Sequence, residues 1–180
     1  MIIFEVVFNL MGLVLGLALV EVLSGLAGLM KMRGRLKIGW LTPLLAVWIM
    51  ADVTQFWGQA YEMRTLLPSV WQSLGAALVI TSIYYVAASL VVPETTEGQA
   101  AYDEAYWRWK RPIFGLVLSC NLATWLIGLL LGRTWTRDVI AINVTYALAI
   151  LAILILPGRR TNILLLIVLI ANEVWAFATP

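Results

Sequence analysis

The sequence contains few charged residues and no histidine. Among its 180 residues, Asp, Glu, Lys and Arg together make up 12%, whereas the apolar types A, V, I, L, M, F, W, Y and C make up 62%. A typical soluble domain has about a quarter charged residues and about half apolar ones, and a small domain leaves much of its surface in water. The composition therefore excludes a soluble monomer and a disordered chain, and it predicts an integral membrane protein that contacts the lipid bilayer.

The scarcity of histidine and cysteine excludes several kinds of site. Without His, the chain cannot form a His-ligated haem, di-iron or zinc site, or a His-based catalytic triad. The single Cys120 cannot form an internal disulfide or a CxxC pair. Twelve basic side chains and a net charge of +2 are too few for a nucleic-acid surface. We therefore expect no metal site, no cofactor and no nucleic-acid partner.

Six stretches are long and apolar enough to cross a bilayer, which requires about 20 mostly apolar residues per helix. The predicted spans are 2–30, 38–61, 66–92, 113–132, 138–157 and 161–179. The N-terminal residues lack a basic region and include Glu5, so we expect a spanning helix there and not a cleaved signal peptide. The sequence thus predicts an all-α fold in which residues 1–180 form one transmembrane helical bundle.

Lys and Arg predict the orientation of these spans, because cytoplasmic loops are enriched in both. One side of the membrane has nine basic residues: Lys31, Arg33, Arg35, Lys37, Arg108, Lys110, Arg111, Arg159 and Arg160. The other side has three, Arg64, Arg133 and Arg137. We therefore expect both termini on the extracytoplasmic side, in a bacterial inner membrane.

The third loop, residues 94–111, is the longest segment between spans. Tyr102, Tyr106 and Trp109 recur at helical spacing, and charged residues occupy another face. This pattern predicts a short amphipathic helix in the cytoplasmic interface, between the third and fourth spans. We interpret it as a connector, with a gate or a docking surface as the alternative.

Three acids lie inside the predicted spans: Glu21, Asp52 and Glu173. A charged side chain at the bilayer centre costs at least about 2.5–3.5 kcal/mol, and no Lys or Arg of this chain is predicted at comparable depth. The acids must therefore be protonated, hydrogen-bonded, hydrated or paired with another molecule. For Glu21, a buried structural acid is as consistent with the sequence as a cation-binding group.

The second span has the most informative pattern. Trp48, Asp52, Gln55, Gln59 and Glu62 follow one another in steps of four and three residues, so they share one helix face. This stripe predicts a water-filled vestibule that runs from Asp52 to the outer surface. The alternative is a set of polar contacts between helices, which we favour for Gln59 and Glu62. The Trp48 indole either lies near a bound cation or fills the core, and we favour the core.

Four uncharged residues extend this set of candidates: Asn121, Thr124, Asn143 and Tyr85. Each alone is more typical of helix packing than of ligand binding. Together with the acids, they predict a connected polar interior from Glu62 past Asp52 to Glu21.

The glycines of the first span lie on two faces, Gly12 with Gly16 and Gly25 with Gly28. Small residues allow neighbouring helices to approach closely. We expect one face to contact the chain's own bundle and the other a second subunit, in a homo-oligomer with closed symmetry, most often two-fold.

Two hypotheses for function follow. The first is a small channel or transporter that passes protons, small cations or a cationic solute along the acidic path, because acids without basic neighbours attract cations. The alternative is a scaffold or accessory subunit whose acids pair with basic residues of a membrane partner protein. We do not expect an enzyme, because one intramembrane Asp cannot form a carboxyl dyad, although acid–base chemistry on a lipid stays open.

Overall fold

A computed structural model of the chain describes residues 2–32, 39–65, 69–92 and 102–178. In these ranges all regular structure is helical and no strand is present, which confirms the predicted all-α class. The helices are α1 (Ile2–Met32), α2 (Leu41–Glu62), α3 (Val70–Ser89), α4 (Tyr102–Leu130), α5 (Arg137–Ile155) and α6 (Arg159–Ala178). The basic residues Arg33, Arg35 and Lys37 and the loop residues 94–101 lie outside the described ranges.

Five of the six helices, all except α2, are long and apolar enough to cross a membrane. The length and apolar composition of these helices are those of an integral membrane protein. Local sequence sets several of the helix ends. The hydroxyl oxygens of Ser69 and Thr136 accept hydrogen bonds from the backbone N–H groups of Gln72 and Val139, which caps α3 and α5. After α4 the chain turns at Gly132, where φ is +76° and a glycine is favoured.

The predicted short interfacial helix is wrong. Its residues form the first turns of α4, which continues without a break through Pro112 to Leu130. The reason is tertiary: Tyr106, only 1% exposed, donates a hydrogen bond to Asn162 Oδ1 at 2.8 Å. The segment therefore packs against the start of α6, where a helix lying in the interface would instead place Tyr106 among the lipid headgroups.

Helix α2 lies at the centre of the bundle and contacts α1, α3, α4 and α6. Its Trp48 is fully buried and stacks on Phe114 of α4, with the ring centroids 4.7 Å apart. Because the neighbouring helices cover α2, it presents little surface to lipid. This cover keeps the buried Asp52 of α2 away from lipid.

Lys110 of α4 connects to the C-terminal end of α5, at the end of the bundle opposite the Gly132 turn. Its buried ammonium donates to the backbone oxygens of Ile153 (2.8 Å) and Leu156 (3.1 Å), at the C-terminal end of α5. Hydrogen bonds to a charged group contribute about 1.5–3 kcal/mol each. We expect Lys110→Met to lower the free energy of unfolding by about that amount, measured by denaturant titration in detergent. Arg108→Met, at an exposed position of the same helix, is the control, and an equal loss in both variants would contradict the prediction.

In the structure, the two glycines of each predicted pair have different surroundings. A Cβ atom at Gly12 would lie 3.1 Å from the Trp57 ring, and one at Gly25 would lie 2.6 Å from Val92 Cβ. At Gly16 and Gly28 a Cβ would meet nothing within 4 Å among residues 2–32, 39–65, 69–92 and 102–178. One member of each pair therefore contacts the chain's own bundle, and the other faces open space.

This difference predicts opposite effects for two similar substitutions. Gly25→Ala forces the added methyl group into Val92, and overpacking of this kind costs about 1–3 kcal/mol. Gly28→Ala adds the same group where there is space, so the better helix propensity of Ala should stabilise by about 0.5–1 kcal/mol. Thermal unfolding of both variants in the same detergent tests the sign of each change. Two variants with equal melting temperatures would contradict the close approach of Gly25 to Val92.

Candidate functional site

A cavity of about 230 Å³ lies among α2, α5 and α6. Its lining residues include Asp52, Gln55, Gln59, Glu62, Tyr84, Asn121, Arg133, Thr134, Thr136, Asn143, Tyr146, Asn172 and Glu173. The exposed members of this lining, Glu62, Thr134 and Thr136, all lie at the end of the bundle where α2 ends and α5 begins. The cavity therefore has its mouth at that end and leads into the bundle.

Two carboxyl groups form the base of the cavity. Asp52 and Glu173 are 4% and 3% exposed, and their side chains lie next to each other. The Tyr146 hydroxyl donates to Asp52 Oδ1 at 2.5 Å. Asn121 Nδ2 donates to the hydroxyl oxygens of Tyr84 and Tyr146, at 3.2 Å each. Four helices, α2, α3, α4 and α5, thus hold one hydrogen-bonded network, and α6 adds the second acid.

No basic side chain of the described ranges forms an ion pair with this base. The ion pairs found there join Glu62 to Arg133 and Asp103 to Arg159. Asp52 Oδ2 is buried and has no hydrogen-bond donor among the described residues. Repulsion between two adjacent carboxylates is relieved by a shared proton or by a bound cation. The two carboxyl groups at the base of the cavity can therefore share a proton or bind a cation.

Aromatic and charged side chains form the mouth. Glu62 at the end of α2 pairs with Arg133 of the α4–α5 connection, which ties the two sides of the opening together. The Arg133 guanidinium lies 4.3 Å from the centroid of the Trp135 ring, and Trp135 stacks on Trp125 with centroids 4.9 Å apart. The opening is thus held by one ion pair and one aromatic stack.

Directly behind the carboxyl pair the packing is apolar. Trp48, one turn before Asp52 on α2, stacks on Phe114, and Leu45 and Ile49 beside it are fully buried. This packing closes the polar path at the level of Asp52. The path predicted to continue from Asp52 to Glu21 is therefore wrong: Glu21 is exposed on the outer face of α1.

The structure separates the sequence-based candidates into two groups. Those that line the cavity are Asp52, Gln55, Gln59, Asn121, Asn143 and Glu173. Trp48 lies behind the base as a core residue, and Tyr85 is 40% exposed on the outer surface of α3. Thr124 donates a hydrogen bond to the Cys120 carbonyl at 2.9 Å and lines a different cavity.

Two residues of the network, Tyr84 and Tyr146, were not among the candidates. In the sequence, Tyr85 shares a helix face with Ser82 and Ser89, and that polar pattern favours Tyr85 over Tyr84 as a candidate. In the structure the inward face of α3 is the one that carries Ala77 and Tyr84. Small residues at helical spacing before Tyr84 were a signal that this face packs closely, and that signal was available in the sequence.

The prediction that the intramembrane acids form no carboxyl dyad is also wrong. Asp52 is the single Asp of the spans, but Glu173 from α6 supplies the second carboxyl group. The pair forms because α6 packs directly against α2. The site thus contains two adjacent acids, two phenols and one amide at the end of a cavity, an arrangement that can bind a proton or a cation.

In comparisons with protein families, characterised proteins and solved structures, no match to this chain was found.

Proposed function

We propose that this protein transports protons, small cations or a small cationic solute, with the Asp52–Glu173 pair as the binding site. The observation that carries this proposal is the cavity of about 230 Å³ that ends on two buried acids. Buried charges are normally paired, and intramembrane acids without basic partners are typical of ion pathways and proton relays. A cation that enters the cavity supplies the missing positive charge.

The geometry favours a transporter over an open channel. The cavity has its mouth at one end of the bundle, and the stacked rings of Trp48 and Phe114 close the other side. A transporter exposes its site to one side of the membrane at a time, with the site near the middle of the bilayer. The described conformation has the form of such a one-side-open state.

The polar walls suit a hydrated cation. Gln55 and Gln59 follow Asp52 toward the mouth, and Asn143 and Asn172 lie on the walls contributed by α5 and α6. Amide oxygens accept hydrogen bonds from water or from an organic ammonium group, and the cavity is large enough for several water molecules. Polar side chains therefore line the route from Glu62 to Asp52, alongside the apolar Phe56, Val139 and Ile142.

We also propose that all six helices cross the membrane. Helix α2 has 22 residues, which gives it a length of about 33 Å and matches the hydrocarbon core. With an even number of spans, both termini would lie on one side, and the enrichment of the opposite side's loops in Lys and Arg supports an extracytoplasmic position for them. The mouth of the cavity then opens to the extracytoplasmic side of a bacterial inner membrane.

Ion flux into proteoliposomes tests the proposal. The purified protein is reconstituted, a proton or monovalent-cation gradient is imposed, and a pH- or potential-sensitive dye reports the flux. We expect the wild type to support flux and Asp52→Asn to lose it. Equal flux in the two preparations would exclude the proposal. Turnover of a lipid that is lost in Asp52→Asn would replace transport with acid–base catalysis by the same pair.

The exposure of Glu21 favours the second candidate function, an accessory subunit. An acid on the outer face of a membrane helix is costly in lipid, and a basic residue of a partner helix would neutralise it. This function predicts that a membrane protein copurifies with the wild type and is lost in Glu21→Gln. Gly16, which has open space beside it among the described residues, is the position at which we propose contact with a second copy of the chain.

A further inference from the structure

A second cavity of about 230 Å³ lies among α1, α2, α3 and α4, at the same end of the bundle as the acidic one. Its walls are almost entirely apolar, and they include Phe8, Met11, Ala60, Ala76 and Ile127. Phe56 of α2 lines both cavities and so forms part of the wall between them. The apolar cavity is therefore separate from the proposed cation site.

The two ends of this second cavity differ in polarity. The lining covers a step of seven or eight residues in each of four segments: Phe4–Met11, Phe56–Met63, Gln72–Ile80 and Thr124–Leu131. At a rise of 1.5 Å per residue this corresponds to a depth of roughly 10 Å. Gln72, the exposed residue of the lining, lies at the end of the bundle, and the deep end is apolar except for Thr124, whose hydroxyl donates to the Cys120 carbonyl. A molecule that fills the pocket thus has its polar part at the surface and its apolar part toward the membrane interior.

Ser73 supplies an unused polar group inside this pocket. It is 7% exposed, and its Oγ atom has no hydrogen-bond partner among the described residues. Several other helical hydroxyls donate to a carbonyl about one turn earlier, as in Thr54, Thr81, Ser89, Ser119 and Thr124. Unpaired buried hydroxyl groups cost free energy, so the buried Ser73 hydroxyl points to an acceptor from outside the chain.

We propose that this pocket binds one alkyl chain of a membrane lipid, whose ester carbonyl or hydroxyl group accepts a hydrogen bond from Ser73 Oγ. The order of the lining, polar at the end of the bundle and apolar toward its middle, matches the order of headgroup and chain in the adjoining leaflet. Water suits the deep end poorly, because an ordered water needs two to four polar partners. A second helix does not fit, because a helix with its side chains is about 10–12 Å wide.

Photolabelling in nanodiscs tests this proposal. The probe is a medium-chain monoacylglycerol with a diazirine at the chain end, added to the full-length protein in phosphatidylcholine nanodiscs. We expect mass spectrometry to place the label within Phe4–Met11 and Ala76–Ile80, and unlabelled monoacylglycerol to compete for it. Because one hydrogen bond is worth about 0.5–1.5 kcal/mol, Ser73→Ala should weaken competition by about two- to tenfold.

A filling substitution provides the second arm. Ala76→Phe places a ring in the pocket and should reduce labelling at these positions at least about tenfold, as expected when the chain is excluded. Ala171→Phe, at an exposed position of α6, should leave the labelling unchanged. Asp52→Asn should also leave it unchanged, so failure here and failure of the transport proposal are distinguishable.

Three outcomes would overturn the proposal. The first is label spread over the exposed faces of the helices without competition. The second is equal labelling by a diazirine alkane that has no polar group, which would remove the role of Ser73. The third is labelling that neither Ser73→Ala nor Ala76→Phe changes. If Ala76→Phe does not fold, the label positions in the wild type and the competition measured in Ser73→Ala decide the question.

Discussion

Replacement of Glu173 by Gln is expected to reduce cation flux as strongly as Asp52→Asn does. The two carboxyl groups lie next to each other at the base of the cavity, and both are more than nine-tenths buried. Gln keeps the size of the side chain and removes the negative charge. Loss of a hydrogen bond to a charged group corresponds to about 1.5–3 kcal/mol, or roughly ten- to hundredfold weaker binding of the cation.

The pair should also behave as one unit. Since both acids act on the same bound charge, the double variant Asp52→Asn, Glu173→Gln is expected to be no worse than either single variant, which is the non-additivity of residues in direct contact. Glu21→Gln is the matched control, because that acid lies exposed on α1 and should leave flux unchanged. Normal flux in Glu173→Gln, with the protein folded, would remove Glu173 from the site.

Replacement of Trp48 by Ala is expected to have the largest effect on stability. The indole is fully buried and stacks on Phe114. Truncation of a large buried aromatic residue to Ala costs about 3–5 kcal/mol, because it removes contacts and leaves a cavity. The new space would lie directly behind Asp52, so we also expect a passive leak of protons in the proteoliposomes that do contain folded protein.

Trp71→Ala is the control for this experiment, because Trp71 is 84% exposed. Denaturant unfolding in detergent measures the stability of both variants, and a dye-based assay without an imposed cation gradient measures the leak. A stability loss below about 1 kcal/mol, well under the range for buried aromatic residues, would mean that Trp48 is not the core residue that the packing indicates. A stable variant without leak would place the barrier elsewhere in the bundle.

The sequence alone was sufficient for the features that depend on local order. The excess of apolar residues predicted an integral membrane protein, and hydrophobic stretches predicted where the helices lie, in most cases to within a few residues at each end. The helical repeat also placed Asp52, Gln55 and Gln59 on one face of α2, and all three line one cavity. This succeeded because the direction of side chains within one helix follows from its own geometry.

Only the tertiary structure decided which helices meet, and that choice determined the site. Glu173 became the partner of Asp52 because α6 packs on α2, and Tyr84 entered the network in place of Tyr85 because of the way α3 turns toward its neighbours. Glu21 lies outside for the same kind of reason, since α1 presents that face away from the bundle. A periodic sequence shows which residues share a face, but each apolar face can be covered either by lipid or by another helix. Which faces are covered by lipid and which by a helix depends on the packing of all the helices together, so it cannot be read from any single segment.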